Sequence, residues 1–91
     1  MRLRWTEPAA QDLYNIVRYI QRDNPTAARQ VARLIYDGCE SLIHFSHRGR
    51  IGKQPGTREL VFPSLPYIAV YRIAKDAVEI LHIWHGAQSR H

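Results

Sequence analysis

The sequence predicts an α+β domain of order β-α-α-β-β-β, an N-terminal helical hairpin packed on a small antiparallel sheet. Three observations predict it. Apolar residues recur twice at helical spacing in the first half of the chain. In the last third they switch to alternation of period two. Between these regimes lies an aperiodic stretch punctuated by Gly49, Gly52, Pro55 and Gly56. Helices first and a meander last is the α+β pattern, and 91 residues suit a single domain spanning 1–91.

The elements follow in order. "RLRW" alternates, with Leu3 and Trp5 on one face, and reads as a first strand. Thr6 is placed to cap a helix and Pro8 fits its first turn, where a missing N–H costs nothing. The apolar stripe Ala9, Leu13, Ile16, Val17 and Ile20 then makes one helical face. In "RDNPTAARQ", Asn24 caps and Pro25 opens a second helix. Its apolar face runs Ala28, Val31, Ala32, Ile35, Cys39, Leu42 and Ile43. Gly38 inside that helix costs about 1 kcal/mol relative to Ala, which implies a neighbour that packs close. Two amphipathic helices joined by a tight turn form an αα-hairpin. "HFSHRGRIGKQPGTR" is read as loop. "RELVF", "YIAVYRI" and "VEILHIWH" are strands separated by turns at Pro63–Pro66 and at "AKDA". The helix pair covers one face of the sheet and leaves the other to solvent or a partner.

Charge is unevenly spread. The net charge is +5, of which residues 41–91 carry +4. No acidic residue occurs between Ser41 and Arg58. A basic half favours an anionic partner such as nucleic acid, the ribosome or an acidic protein. The N-terminus has charges where a secretory leader has its apolar core, and no apolar run reaches the ~20 residues of a membrane helix. We therefore expect a cytoplasmic chain with no membrane contact. One cysteine, Cys39, rules out an internal disulfide and reads as a small buried core residue.

Candidate chemistry centres on the last strand. Alternation sends His82 and His85 to opposite faces, so they are not expected to share a metal, and no third ligand stands near. His82 is read as packed among Ile80 and Trp84. His85, at the strand exit before Gly86, is the better functional candidate. Arg58, Tyr71, Arg72 and His85 converge only if strand register allows it. Together they would form a kit for phosphodiester cleavage, with arginine holding the phosphate and tyrosine or histidine moving protons. The competing reading makes Tyr67 and Tyr71 core aromatics, with Arg58 and Glu59 a solvated pair worth about 1 kcal/mol or less.

The element order, together with "WTEPAAQDLYNIVRYI", "NPTAARQVARLI", "GTRELVFPSLPYIAVYRI" and "VEILHIWHGAQ", resembles the RelE/ParE superfamily of bacterial toxins. The resemblance covers nearly the whole chain. It implies the toxin of a type II toxin–antitoxin module of the plasmid-stabilization kind. A cognate antitoxin, small and usually acidic, would neutralise it by wrapping it with an extended tail that folds on binding. Operator DNA would be reached only through that antitoxin.

The superfamily divides in chemistry. RelE-like members cut mRNA on the ribosome without a metal, and ParE-like members inhibit DNA gyrase. Where RelE-type nucleases carry a phosphate-holding arginine this chain has Ile68, and where they carry a basic stretch it reads Gly86-Ala87-Gln88. The match leans to the ParE-like branch, with a basic binding surface of Arg48, Arg50, Lys53, Arg72 and Arg90. The alternative is a ribosome-dependent endoribonuclease using Arg58, Tyr71 and His85, assisted by Arg72 or Arg90. An inactive α+β binding module is the third possibility. None of the three implies a cofactor or a metal.

Overall fold

A computed structural model describes residues 1–86. The elements are β1 (Arg2–Trp5), α1 (Glu7–Gln21), α2 (Pro25–Ser41), β2 (Arg50–Ile51), β3 (Arg58–Val61), β4 (Tyr67–Ala74) and β5 (Ala77–His85). Both helices start where their caps predict. The Thr6 hydroxyl accepts from the Ala9 N–H and the Asn24 side chain from the Ala27 N–H, each cap standing immediately before a helix with proline in its first turn.

The strands form one five-stranded sheet in the order β1-β5-β4-β3-β2. β3, β4 and β5 make the expected antiparallel meander. Two features differ from expectation. β1 pairs with β5 in parallel, so the sheet is mixed rather than wholly antiparallel. Alternation in a four-residue strand is the same whichever way it runs, so its direction was not legible. The predicted loop also contains β2, whose Arg50 and Ile51 pair with Glu59 and Arg58. Two residues between glycines are too few to display a period.

One face of the sheet carries the core. Leu60, Phe62, Ala69, Tyr71, Val78, Ile80 and Ile83 meet Ala9, Ile35, Cys39 and Leu42 from the helices. Fully burying a side chain such as Ile35 or Leu42 stabilises by roughly 1.5–3 kcal/mol. The close neighbour implied by Gly38 is Phe62, just past β3: a Cβ at Gly38 would lie 2.4 Å from its ring.

A bulge shifts the phase of β5. Val70 pairs with His82 but Tyr71 pairs with Ile80, leaving Leu81 without a counterpart. Ile83, not His82, therefore continues the core row begun by Val78 and Ile80. From His82 onward pairing is regular, so His82 and His85 do point to opposite faces. Beyond Trp5, β1 no longer covers the edge of β5. There α1 takes over: the Asp12 carboxylate accepts from the Ile83 N–H at 3.1 Å, and the same oxygen lies 3.1 Å from His82 Nδ1. Thr6 adds a hydroxyl bond to the Ile80 carbonyl at 2.7 Å.

Candidate functional site

The segment between α2 and β2 is held from behind by two side chains of the sheet. Arg58 on β3 and Tyr71 on β4 are direct partners in the ladder, so they share the core-side face. Tyr71 is fully buried. Its hydroxyl donates to the Ser46 carbonyl at 2.7 Å and accepts from the Gly49 N–H at 2.9 Å. Arg58 Nη1 donates to the Gly49 carbonyl at 2.8 Å and to the His47 carbonyl at 3.4 Å. Gly49 has no room for a side chain, since a Cβ would sit 2.7 Å from the Tyr71 ring and 2.9 Å from the Glu59 carbonyl. Burial pushes the Tyr71 phenol above its ordinary value, and the Gly49 N–H and the Arg58 charge pull it partly back. A phenol so placed gives up its proton reluctantly and has both hydrogen-bonding roles occupied.

The opposite face of the sheet carries ion pairs. Arg72 Nε donates to Glu79 at 2.5 Å, and Arg4 Nη1 donates to the other oxygen of the same carboxylate. The Glu79 side chain is 8% exposed beneath two arginines that are each more than half exposed. Hydrogen bonding from Arg72, reinforced by Arg4 against the cost of burial, holds the Glu79 carboxyl below its usual range. On the same face Arg50 Nε and Nη2 both donate to one oxygen of the Glu59 carboxylate, at 3.0 and 2.9 Å. Arg58 and Glu59 are thus not the solvated pair that adjacency suggests. Neighbours on a strand face opposite ways, and each finds its partner on a different side of the sheet.

The four residues of the cleavage kit do not form one cluster. Arg58 and Tyr71 are together, but Arg72 faces away from them and binds Glu79. His85 pairs with Tyr67, four positions before Tyr71, which is about 13 Å along the strand. Its exposed ring meets Tyr67 edge-on at 5.9 Å. His82 stacks on Trp84 at 4.6 Å, as expected, but through the bulge both lie away from Ile80. Of the basic-surface residues, Arg48 and Lys53 are exposed, while Arg50 and Arg72 are engaged by buried glutamates. Arg90 lies outside the described residues.

Sequence reasoning missed Glu59, Glu79 and Asp12 as partners. Their roles depend on register and on the place where β1 ends, which no local pattern carries. Among the described residues no group of three or more His, Cys, Asp or Glu side chains is placed to hold a metal ion. No helix among them is long and apolar enough to cross a membrane.

Comparison with known proteins places this arrangement. The family model described as the ParE toxin of type II toxin-antitoxin system, parDE, matches residues 3–90. The chain belongs to the ParE toxin family. It is 42% identical over 87 residues to the Y4kP protein of Sinorhizobium fredii, covering 96% of this chain and 90% of that protein. It is 33% identical over 84 residues to Toxin RelE2 of Caulobacter vibrioides, covering 92% and 93%. Among solved structures it resembles a chain of the chromosomal ParDE TA system from P. aeruginosa, with a TM-score of 0.87 at 28% identity, covering 93% of this chain and 95% of that one. This ParE-family toxin therefore sits within the RelE/ParE superfamily that its sequence resembles. Ile68, the position noted above, is buried on the ion-pair face between Val61 and Trp84 in an apolar cross-strand row.

Proposed function

We propose that this ParE-family chain is a binding toxin, acting on DNA gyrase without hydrolytic chemistry of its own and neutralised by a cognate acidic antitoxin. The observation that carries this reading is the employment of Arg58 and Tyr71. Both are spent on backbone groups of the 46–49 segment, and His85 lies about 13 Å along the sheet. General acid–base catalysis needs its groups within hydrogen-bond reach of one reacting centre, and these residues serve none in common. The apolar row at Ile68 supports the same reading. The antitoxin is inferred from the family and from the ParDE name of the similar structure, and the chain's basic second half suits an acidic partner. The docking surface on this reading is the basic segment bearing Arg48 and Lys53.

The test is a supercoiling assay with purified gyrase, run beside primer extension on ribosome-bound message. Inhibited supercoiling with intact message is the expected result. Cuts confined to ribosome-bound message, with gyrase unaffected, would replace this reading with the endoribonuclease one. In cells, His85→Ala should keep most of the growth arrest, whereas Arg48→Glu with Lys53→Glu should lose it.

A further inference from the structure

The segment that Tyr71 and Arg58 hold from within turns its side chains outward. His44, Phe45, Ser46, His47 and Arg48 line a surface concavity. Phe45 is 65% exposed, so the face of its ring is open to a partner. Its backbone is nonetheless fixed: the Phe45 N–H donates to the Ser41 carbonyl at 3.1 Å and the Arg48 N–H to the Phe45 carbonyl at 3.0 Å. Arg48 Nη1 also reaches the Ser41 hydroxyl at 3.3 Å. Four further bonds tie Ser46, His47 and Gly49 to Tyr71 and Arg58. An exposed aromatic on a pinned backbone, flanked by two imidazoles and a guanidinium with no acid in the segment, is preorganised to bind.

We propose that this concavity takes a single-stranded nucleic-acid segment, one base stacking on Phe45 and the adjoining phosphates lying against Arg48 and the imidazoles of His44 and His47. Stacking on an aromatic ring beside a cation is the general means of holding unpaired bases. A stretch from Ser41 to Arg58 without any carboxylate suits a phosphate backbone better than a protein surface of mixed charge. The site goes beyond the gyrase reading and shares Arg48 with its docking surface, but it is assayed without gyrase or ribosome, so the two readings fail separately.

The experiment is fluorescence anisotropy of the purified full chain with short labelled single-stranded DNA and RNA at increasing salt. We expect binding that weakens with salt at about 0.7 log unit per log unit for each phosphate contacted. Phe45→Ala should weaken it about tenfold, as loss of one base–aromatic stack does. Arg48→Glu should weaken it further and flatten the salt dependence. A control with Arg29→Glu and Arg33→Glu on α2 should change affinity much less, although it alters net charge more. All three variants replace exposed side chains, and circular dichroism verifies their fold. Equal loss in the α2 control would mean non-specific attraction to a basic protein and would overturn the proposal. So would full binding by Phe45→Ala, or no binding at low salt. Loss of gyrase inhibition in Phe45→Ala without any oligonucleotide binding would assign the concavity to a protein partner instead, and also overturn it.

Discussion

Tyr71 and Ser46 lie 25 positions apart, yet the hydroxyl of the first donates to the carbonyl of the second at 2.7 Å. That bond and the one from Gly49 make a core tyrosine the anchor of an exposed segment. Tyr71→Phe keeps the ring and leaves both backbone groups without their partner. It should destabilise by about 1–3 kcal/mol, the range for a stranded buried polar group. Hydrogen exchange at the Gly49 amide should lose protection while the helices keep theirs. Unchanged protection at Gly49 would mean that the hydroxyl does not hold the segment.

Gly38 and Phe62 give a second expectation. Helix propensity alone favours Gly38→Ala by about 1 kcal/mol. The added methyl would meet the buried Phe62 ring at 2.4 Å, and overpacking costs about 1–3 kcal/mol. The clash should win, with a net loss near 1 kcal/mol in urea unfolding. A stabilised variant would show that Phe62 can move aside.

Glu79 predicts a pH dependence. Its carboxyl is held low in the folded protein, first by the Arg72 hydrogen bond and also by Arg4. A depressed folded value means that stability is present above the unfolded value of about 4.3 and is lost as pH falls through the folded one. Glu79→Gln should therefore be less stable than the parent at neutral pH. The gap should close as acid protonates the parent's carboxyl. Thermal midpoints of both proteins between about pH 7 and about pH 3 measure this. A gap independent of pH would mean that the charge of Glu79 is not what matters.

Cys39 is buried in the core, and burial pushes its thiol to about 12. At neutral pH it carries almost no thiolate, the reactive form. A thiol reagent should label the native chain only as fast as the chain unfolds, and label it at once in denaturant. Rapid labelling of the folded protein would contradict the packing around α2.

The helices were legible because every signal is local. Thr6, Pro8, Asn24 and Pro25 mark their starts, and the stripe from Ala28 to Leu42 marks the buried side of the second. The meander was legible from alternation in "YIAVYRI" and "VEILHIWH". The candidate site was less so. Arg58 and Tyr71 were both singled out, but as catalytic groups, because a residue type discloses what it can do and not what it is bound to. Adjacency assigns Glu59 to Arg58 and gives Glu79 no partner, because the true partners are distant: Arg50 lies nine positions from Glu59 and Arg4 lies 75 from Glu79.

Residue order thus carried every element but β2, the starts of both helices, the core faces of the helices and the family, since periodicity and capping act within a few residues. Folding in three dimensions decided the rest: β1 running parallel to β5, the bulge at Leu81, the pairing of Glu79 with two arginines, and the use of Tyr71 and Arg58 as anchors. Each of these is a contact between distant segments, set by strand register and by where one strand stops covering the next.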